Sequence, residues 1–280
     1  MSCRPRRLAL RQALVALALL LAGCAGQPAK PGQAGEFDDP YENANRAIFG
    51  FNLAVDHHVL VPVAKAYRAV FPAPARDSIH AFFRNLRGPI IFVNDVLQGE
   101  PHDAGDTLVR FVLNSTVGLG GFIDVAGRMG VAYHEQDFGI TFGVWGVGPG
   151  PYLVVPILGP SDPRDLTGSV AEDFADPWNQ LASDNGFLYL TFVRGAISGI
   201  DQRSRYLSTL ADLERTSLDY YATLRSIYFQ RRAALIRHEK TTLPHPGLTL
   251  EAPVPVADAN PQPRSGVISE ADNDSEVHIK

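Results

Sequence analysis

Cysteine is nearly absent. The 280 residues contain two, Cys3 and Cys24, too few for a disulfide framework or a thiolate metal site. Long apolar runs are absent too. After Cys24 no run of 18 or more apolar residues occurs, so no membrane-crossing helix is predicted. No sequence repeat at a fixed period is visible, which disfavours a solenoid. The signatures of common catalytic sites are missing: there is no G-x-S-x-G elbow and no H-E-x-x-H pair. The eight histidines are scattered. His57 and His58 are adjacent, point to different sides of a helix and make a poor metal pair. Gly146-Val147-Gly148-Pro149-Gly150 lacks the Lys-Ser/Thr that a phosphate-cradling loop needs. Acid pairs such as Glu172/Asp173 and Asp162/Asp165 read as helix caps and surface charge. No catalytic residue, metal or cofactor is therefore assigned.

What is present begins at the amino terminus. Arg4, Arg6, Arg7 and Arg11 precede an apolar stretch from Ala13 to Ala22, the pattern of a signal peptide over residues 1–23. Leu21-Ala22-Gly23-Cys24 resembles the bacterial lipobox, in which the Cys24 thiol takes a diacylglyceryl group. Burying each CH₂ of an acyl chain contributes about 0.8 kcal/mol, so several chains make a lasting anchor. Ala25 stands where many inner-membrane lipoproteins carry Asp, and by that likeness the expected location is the periplasmic side of the outer membrane. Without residues 1–23 the chain loses four of its 25 basic residues. It keeps 21 against 30 acidic ones, a formal charge of −9. That balance argues against nucleic acid and against binding driven by anionic headgroups.

Residues 24–37 read as a lipidated linker and 38–240 as one domain of about 200 residues, large enough for its own core. Residues 241–280 hold six prolines and six acids without hydrophobic period, the composition of a disordered tail. Within the domain the pattern is mainly helical. Asp39-Pro40 predicts a capped start for a helix carrying Ile48, Phe49, Phe51, Leu53 and Val55. Pro62 predicts a second helix, ended by Pro72 and Pro74. Ile79, Phe82, Phe83 and Leu86 predict a third, kinked or ended by Pro89. A fourth covers about Ala104 to Val117. Asp162-Pro163 opens another, closed at Asp176-Pro177. A long helical stretch runs from Gly186 to about Arg237, broken near Tyr206 and near Glu214–Ser217. It contains Gly195-x-x-x-Gly199, which permits close helix approach. It ends in basic Arg231, Arg232, Arg237 and Lys240, suited to the terminal dipole of a surface helix.

The stretch from Phe138 to Ile157 stands apart. Glycines at 139, 143, 146, 148 and 150 free its backbone, yet its only polar side chains are Thr141 and the Tyr152 hydroxyl. An apolar glycine-rich loop needs an apolar surface, either a protein core or lipid.

A set of ordered motifs now resembles a known family. Asp39-Pro40-Tyr41-Glu42-x-x-Asn45-Arg46, Phe51-Asn52, Asn85-Leu86-x-x-Pro89, Asn94-x-x-Leu97-Gln98-Gly99, Arg110-Phe111-x-Leu113-Asn114-Ser115, Gly120-Gly121-Phe122-Ile123-Asp124, Phe138-Gly139-x-Thr141-x-Gly143 and Gly146-x-Gly148-x-Gly150-Pro151-Tyr152 are similar to the MlaA (VacJ) lipoproteins over about residues 38–235. The resemblance implies a helical, ring-shaped domain within the outer membrane, with an amphipathic central channel. It implies association with a trimeric porin. It further implies removal of phospholipid from the outer leaflet and delivery to the periplasmic lipid-binding carrier of the Mla pathway. By the same likeness Phe138, Gly143, Gly146, Gly148, Gly150, Pro151, Tyr152 and Ile157 belong to a glycine-rich hairpin beside the channel mouth. Gly146 and Gly148 are its hinges, where bulky residues would block transport, and Asn52-Leu53 is a position that tunes the channel. Pro149 departs from free hinge motion, since it restricts Gly148. Two other readings stay open: a lipoprotein esterase or phospholipase acting on the same lipids, and a purely structural lipoprotein.

Overall fold

The structure, a computed structural model, describes residues 39–187 and 189–238. The expected lipidation site Cys24 and the expected signal peptide, linker and tail lie outside the described residues. Twelve α-helices and one two-stranded hairpin are described: α1 (Glu42–Val55), α2 (Val61–Val70), α3 (Ala73–Leu86), α4 (Gly88–Gln98), α5 (Pro101–Thr116), α6 (Val125–Arg128), α7 (Phe138–Val144), β1 (Leu153–Val155), β2 (Gly159–Ser161), α8 (Pro163–Ala175), α9 (Pro177–Asp184), α10 (Tyr189–Arg205), α11 (Leu207–Thr216) and α12 (Tyr220–Ile236).

Prolines and aspartates set most boundaries. Asp162 accepts from the Asp165 amide at 2.8 Å, and Asp176 accepts from the Trp178 amide at 2.8 Å. Each is followed by a proline whose missing N–H costs nothing in a first turn. Pro89 likewise falls in the first turn of α4 and separates it from α3. Asp39-Pro40 departs from this pattern. α1 starts at Glu42 without a side-chain cap, because the Asp39 carboxylate is spent elsewhere. It accepts from Asn45, from the Tyr221 hydroxyl and from Arg225. Pro62 does not start a separate helix. A π-turn over Asp56–Leu60 carries the ladder past it, with the Val61 amide reaching back to Asp56. Proline removes one donor and crowds the carbonyl four residues earlier, and a wider turn relieves both. Glu42–Val70 is thus one 29-residue helix, long and apolar enough by length and composition to cross a membrane; an 18-residue window within it has a mean hydropathy of 1.4 and is 6% buried. Reading apolar runs alone missed it, because scattered polar residues interrupt a stretch whose average stays apolar.

The packing is inverted. Among the described residues nine hydrophobic side chains are buried, against fifteen polar or charged ones. Large apolar side chains lie on the outside instead. Val93, Val96 and Leu97 of α4, Leu108, Val109 and Val112 of α5, and Leu190, Phe192, Val193 and Ile197 of α10 are all exposed. A protein stabilised by water-driven burial has the opposite distribution. The apolar core that does exist is small. Tyr152, Val154 and Tyr221 are buried together, with Ile48, Phe49, Tyr228 and Phe229 against them. Tyr152 stands 6.0 Å from the Tyr221 ring and 5.6 Å from Phe229, so the base of the hairpin is seated between α1 and α12.

Buried polar groups are tolerated when they are paired. Arg110 makes a two-pronged contact to Asp124 at 2.8 and 2.9 Å, and Asn114 joins it through Asp124 and the Ala126 amide. Asn94 accepts from Thr141 at 2.6 Å, and Gln98 donates to Thr141 at 2.8 Å. Asp95 is fully buried and holds Thr107 and His134, the latter at 2.9 Å. Burial disfavours the His134 charge, but the Asp95 carboxylate outweighs it and raises the pKa above 6.5. The folded chain then keeps this proton where the unfolded chain has released it. The stabilisation is complete below about 6.5 and is lost as pH rises through the folded value. The melting temperatures of the wild type and His134→Gln are expected to converge as pH rises from about 6.5 through the raised folded value. A gap that stays constant over that range rules out the pairing.

Candidate functional site

The site begins with a helix that wears its polarity on the inside. On α10, Arg194, Ser198, Gln202 and Arg205 recur at helical spacing and line a cavity of about 460 Å³. On the other side of the same helix Phe192 is 74% exposed, and Val193 beside it is exposed as well. α3 faces α10 across the cavity with His80 and Arg84, and Arg87 follows just past its end. Phe83, Leu86 and Ile90 add apolar wall, so the lining is mixed.

Most of the charge in the cavity is paired. Arg87 contacts Glu172 at 3.1 Å, and Arg194 contacts Asp176 and Asn179. Arg205 bridges Asp201 at 3.2 Å and Asp77 at 3.1 Å, while His80 reaches Asp201 at 2.8 Å. Burial raises the Glu172 carboxyl above its ordinary value, against the pull of Arg87. The His80–Asp201 pair has the look of half a catalytic dyad. Its carboxylate is shared among His80, Tyr67 and Arg205, which makes it a cross-link between α2, α3 and α10.

The hairpin forms the second part. Its β1–β2 pairing runs Leu153↔Ser161 to Val155↔Gly159. At its tip Ile157 and Leu158 are 72% and 78% exposed. Two asparagines on α1, seven residues apart, hold the outer edge of β1. The Asn45 amide donates to the Tyr152 carbonyl at 2.9 Å, and its oxygen accepts from the Val154 amide at 2.9 Å. Asn52 repeats the contact further on, donating to the Val155 carbonyl at 2.9 Å and accepting from the Ile157 amide at 2.7 Å. Two side-chain amides thus act as a third strand and satisfy an edge that would otherwise be open. Asn45 is buried, so Asn45→Ala leaves unpaired groups behind and is expected to cost about 2–4 kcal/mol; Asn52→Ala, half open to solvent, about 1–2 kcal/mol. Thermal unfolding of both variants checks this. Equal, negligible shifts would contradict the clamp.

The sequence-predicted positions divide clearly. Asn52 and Ile157 meet directly, and Tyr152 is the buried foot of the hairpin. Phe138 and Gly143 lie earlier, on helix α7 rather than on the hairpin itself. Gly146 has φ +90°, a conformation that side-chain-bearing residues rarely adopt, with open space around it. Gly148 is also in open space, outside the left-handed region. Gly150 and Pro151 lead into Tyr152, with Gly150 against Pro163. Leu53 is half-buried and makes no polar contact to the hairpin. Gly195-x-x-x-Gly199 brings no helix close, since a Cβ at either glycine meets nothing within 4 Å. Arg232 is not a surface cation. It pairs with Asp137 at 2.7 Å and Asp165 at 2.6 Å, and Asp162 and Asp165 are buried beside Arg164. Burial pushes the Asp137 carboxyl up, but Arg232 overrides it and holds it below the usual range. Sequence reasoning missed the α10 and α3 stripes. Their signal was present in the spacing of Arg194, Ser198, Gln202 and Arg205 opposite apolar residues.

The MlaA lipoprotein family model matches residues 37–235. The chain belongs to that family. The intermembrane phospholipid transport system lipoprotein MlaA of Escherichia coli K12 is 38% identical over 225 residues, 78% of this chain and 86% of the relative. The Haemophilus influenzae protein of the same description is 34% identical over 217 residues, 76% of this chain and 84% of the relative. A solved structure concerned with maintenance of bacterial outer membrane lipid asymmetry superposes with a TM-score of 0.65 at 36% identity, covering 71% of this chain and 99% of that one. The MlaA motifs now have a physical meaning. Asn45, Asn52, Asn94, Arg110, Asn114 and Thr141 are the polar framework of an inverted fold.

Proposed function

We propose that this chain moves phospholipid between membranes and so maintains outer-membrane lipid asymmetry. It takes stray phospholipid from the outer leaflet and passes it inward to the periplasmic carrier of the Mla pathway. The observation that carries this reading is the two-faced α10, apolar outward and polar toward a 460 Å³ cavity. Exposing two acyl chains to water costs on the order of 20 kcal/mol. Without an energy source the protein must keep the chains in an apolar setting and give only the headgroup a wet path. An apolar outer face in the leaflet and a polar lumen do both.

In this reading residues 38–240 form a ring whose lumen is the α3–α10 cavity. The ring is tethered through Cys24 and held beside a trimeric porin. The hairpin of Tyr152–Ser161 stands at the mouth. Gly146 and Gly148 let it swing, and Asn52 fixes the tip in the state seen here. The likeness to relatives described as phospholipid transport lipoproteins supports the substrate. Catalysis has no part in it.

Deletion of the gene tests the reading. Outer-leaflet phospholipid and detergent sensitivity are expected to rise, and the wild-type chain is expected to restore both. Unchanged asymmetry in the deletion strain contradicts it, and release of fatty acid by the purified protein would replace transport with hydrolysis.

A further inference from the structure

One arginine in the cavity has no carboxylate in direct contact. Arg87, Arg194 and Arg205 each contact a carboxylate. Among the described residues Arg84 contacts none within salt-bridge distance. Its guanidinium lies 3.5 Å over the centroid of the Tyr133 ring, and its Nε is buried without a hydrogen-bond partner. Burial lowers the Arg84 pKa; Tyr133, Asp124 and Glu135 oppose that effect and the Arg110 charge adds to it. Arg84 and Tyr133 both line the large cavity and also a small one of about 20 Å³ on their other side, so the pair forms the wall between the two.

Taking the proposed phospholipid transport as its starting point, we infer that Arg84, flattened on Tyr133, is the residue that reads the phosphodiester of a lipid headgroup in the cavity. A desolvated cation without a carboxylate in contact is costly until an anion arrives. A guanidinium stacked on an aromatic face is held in a fixed plane, and Arg84 has N–H donors that no carboxylate occupies, in a fork that matches two phosphate oxygens. The other three arginines cannot offer this without breaking an existing ion pair. The cavity volume lies within the range of about 300–1,000 Å³ common to small-molecule sites. It suits a headgroup, leaving the acyl chains outside. Arg84 thereby separates phospholipids from neutral amphiphiles of the same chain length.

The test uses the full-length lipidated chain in nanodiscs and three probes: dihexanoyl phosphatidylethanolamine, dihexanoylglycerol and inorganic phosphate. The wild type is expected to bind the phospholipid about 10- to 100-fold more tightly than the diglyceride, the worth of a charge-assisted two-pronged contact. Arg84→Gln is expected to lose that preference while binding the diglyceride as before, which also shows that it is folded. Arg84→Lys keeps the charge without the fork and is expected to fall between them. Should Arg84→Gln fail to fold, the lysine variant alone decides: full wild-type preference overturns the assignment. Equal loss for both lipids, or no loss for either, overturns it while leaving the transport reading intact. Inorganic phosphate binding as tightly as the phospholipid makes this a plain anion site and overturns the lipid assignment. A wild type that binds no phospholipid removes the transport reading and this one with it.

Discussion

A strain carrying Gly146→Val/Gly148→Val is expected to accumulate phospholipid in the outer leaflet to the level of a deletion. The two positions do not contribute equally. Gly146 sits at φ +90°, where a β-branched residue is strained by about 1–3 kcal/mol. That is enough to shift a two-position hinge roughly 5- to 150-fold. Valine there removes the left-handed conformation, so the loop between α7 and β1 loses the position it holds now. Gly148 is outside the left-handed region and its Cβ would meet nothing within 4 Å, so Gly148→Val alone is expected to be mild. Detergent sensitivity of the two single variants and the double checks this order. Normal asymmetry in the double variant, or a Gly148→Val strain as sick as the double, contradicts the hinge.

Gly168→Ala is expected to be strongly destabilising for a single added methyl. The added Cβ would fall 2.3 Å from the Gly139 amide nitrogen and 2.7 Å from its Cα. Both are backbone atoms, so no side chain can swing away. α7 and α8 must separate, and the charges packed at their crossing separate with them: Asp137 from Arg232, and Arg232 from Asp165. Breaking a buried ion pair costs about 3–5 kcal/mol and overpacking adds about 1–3. Even a loss of about 3 kcal/mol lowers the melting temperature by roughly 6–12 °C in a domain of this size. Gly199→Ala, in the open on α10, is the control and is expected to shift it little. Similar melting temperatures for the two variants would show that α7 and α8 are not in backbone contact.

The sequence was most readable where a boundary has a local cause. Asp162-Pro163 and Asp176-Pro177 cap helices because each carboxylate reaches an amide two or three residues on. Asp39-Pro40 has the same letters and fails, because Tyr221 and Arg225, far away in the chain, take the carboxylate. The site was less readable for the same reason. Asn45 and Asn52 show themselves as a clamp only once β1 lies beside α1. Arg232 looked like a favourable charge at a helix end, and only the fold reveals the two carboxylates waiting for it. The inverted packing was legible in principle. Polar stripes at helical spacing on α3 and α10 carry it, but a habit of assigning apolar stripes to the inside hides it.

The central claim is that α10 meets lipid with one face and a wet lumen with the other. It is tested most directly by placing a spin label at Phe192 and, separately, at Ser198 in the full-length chain in nanodiscs, and comparing collisions with oxygen and with a water-soluble nickel chelate. The account predicts that the label at 192 meets oxygen and is shielded from nickel, while the label at 198, six residues away on the same helix, meets nickel. Both labels open to nickel alike would mean that the apolar face stands in water, and the account would be wrong.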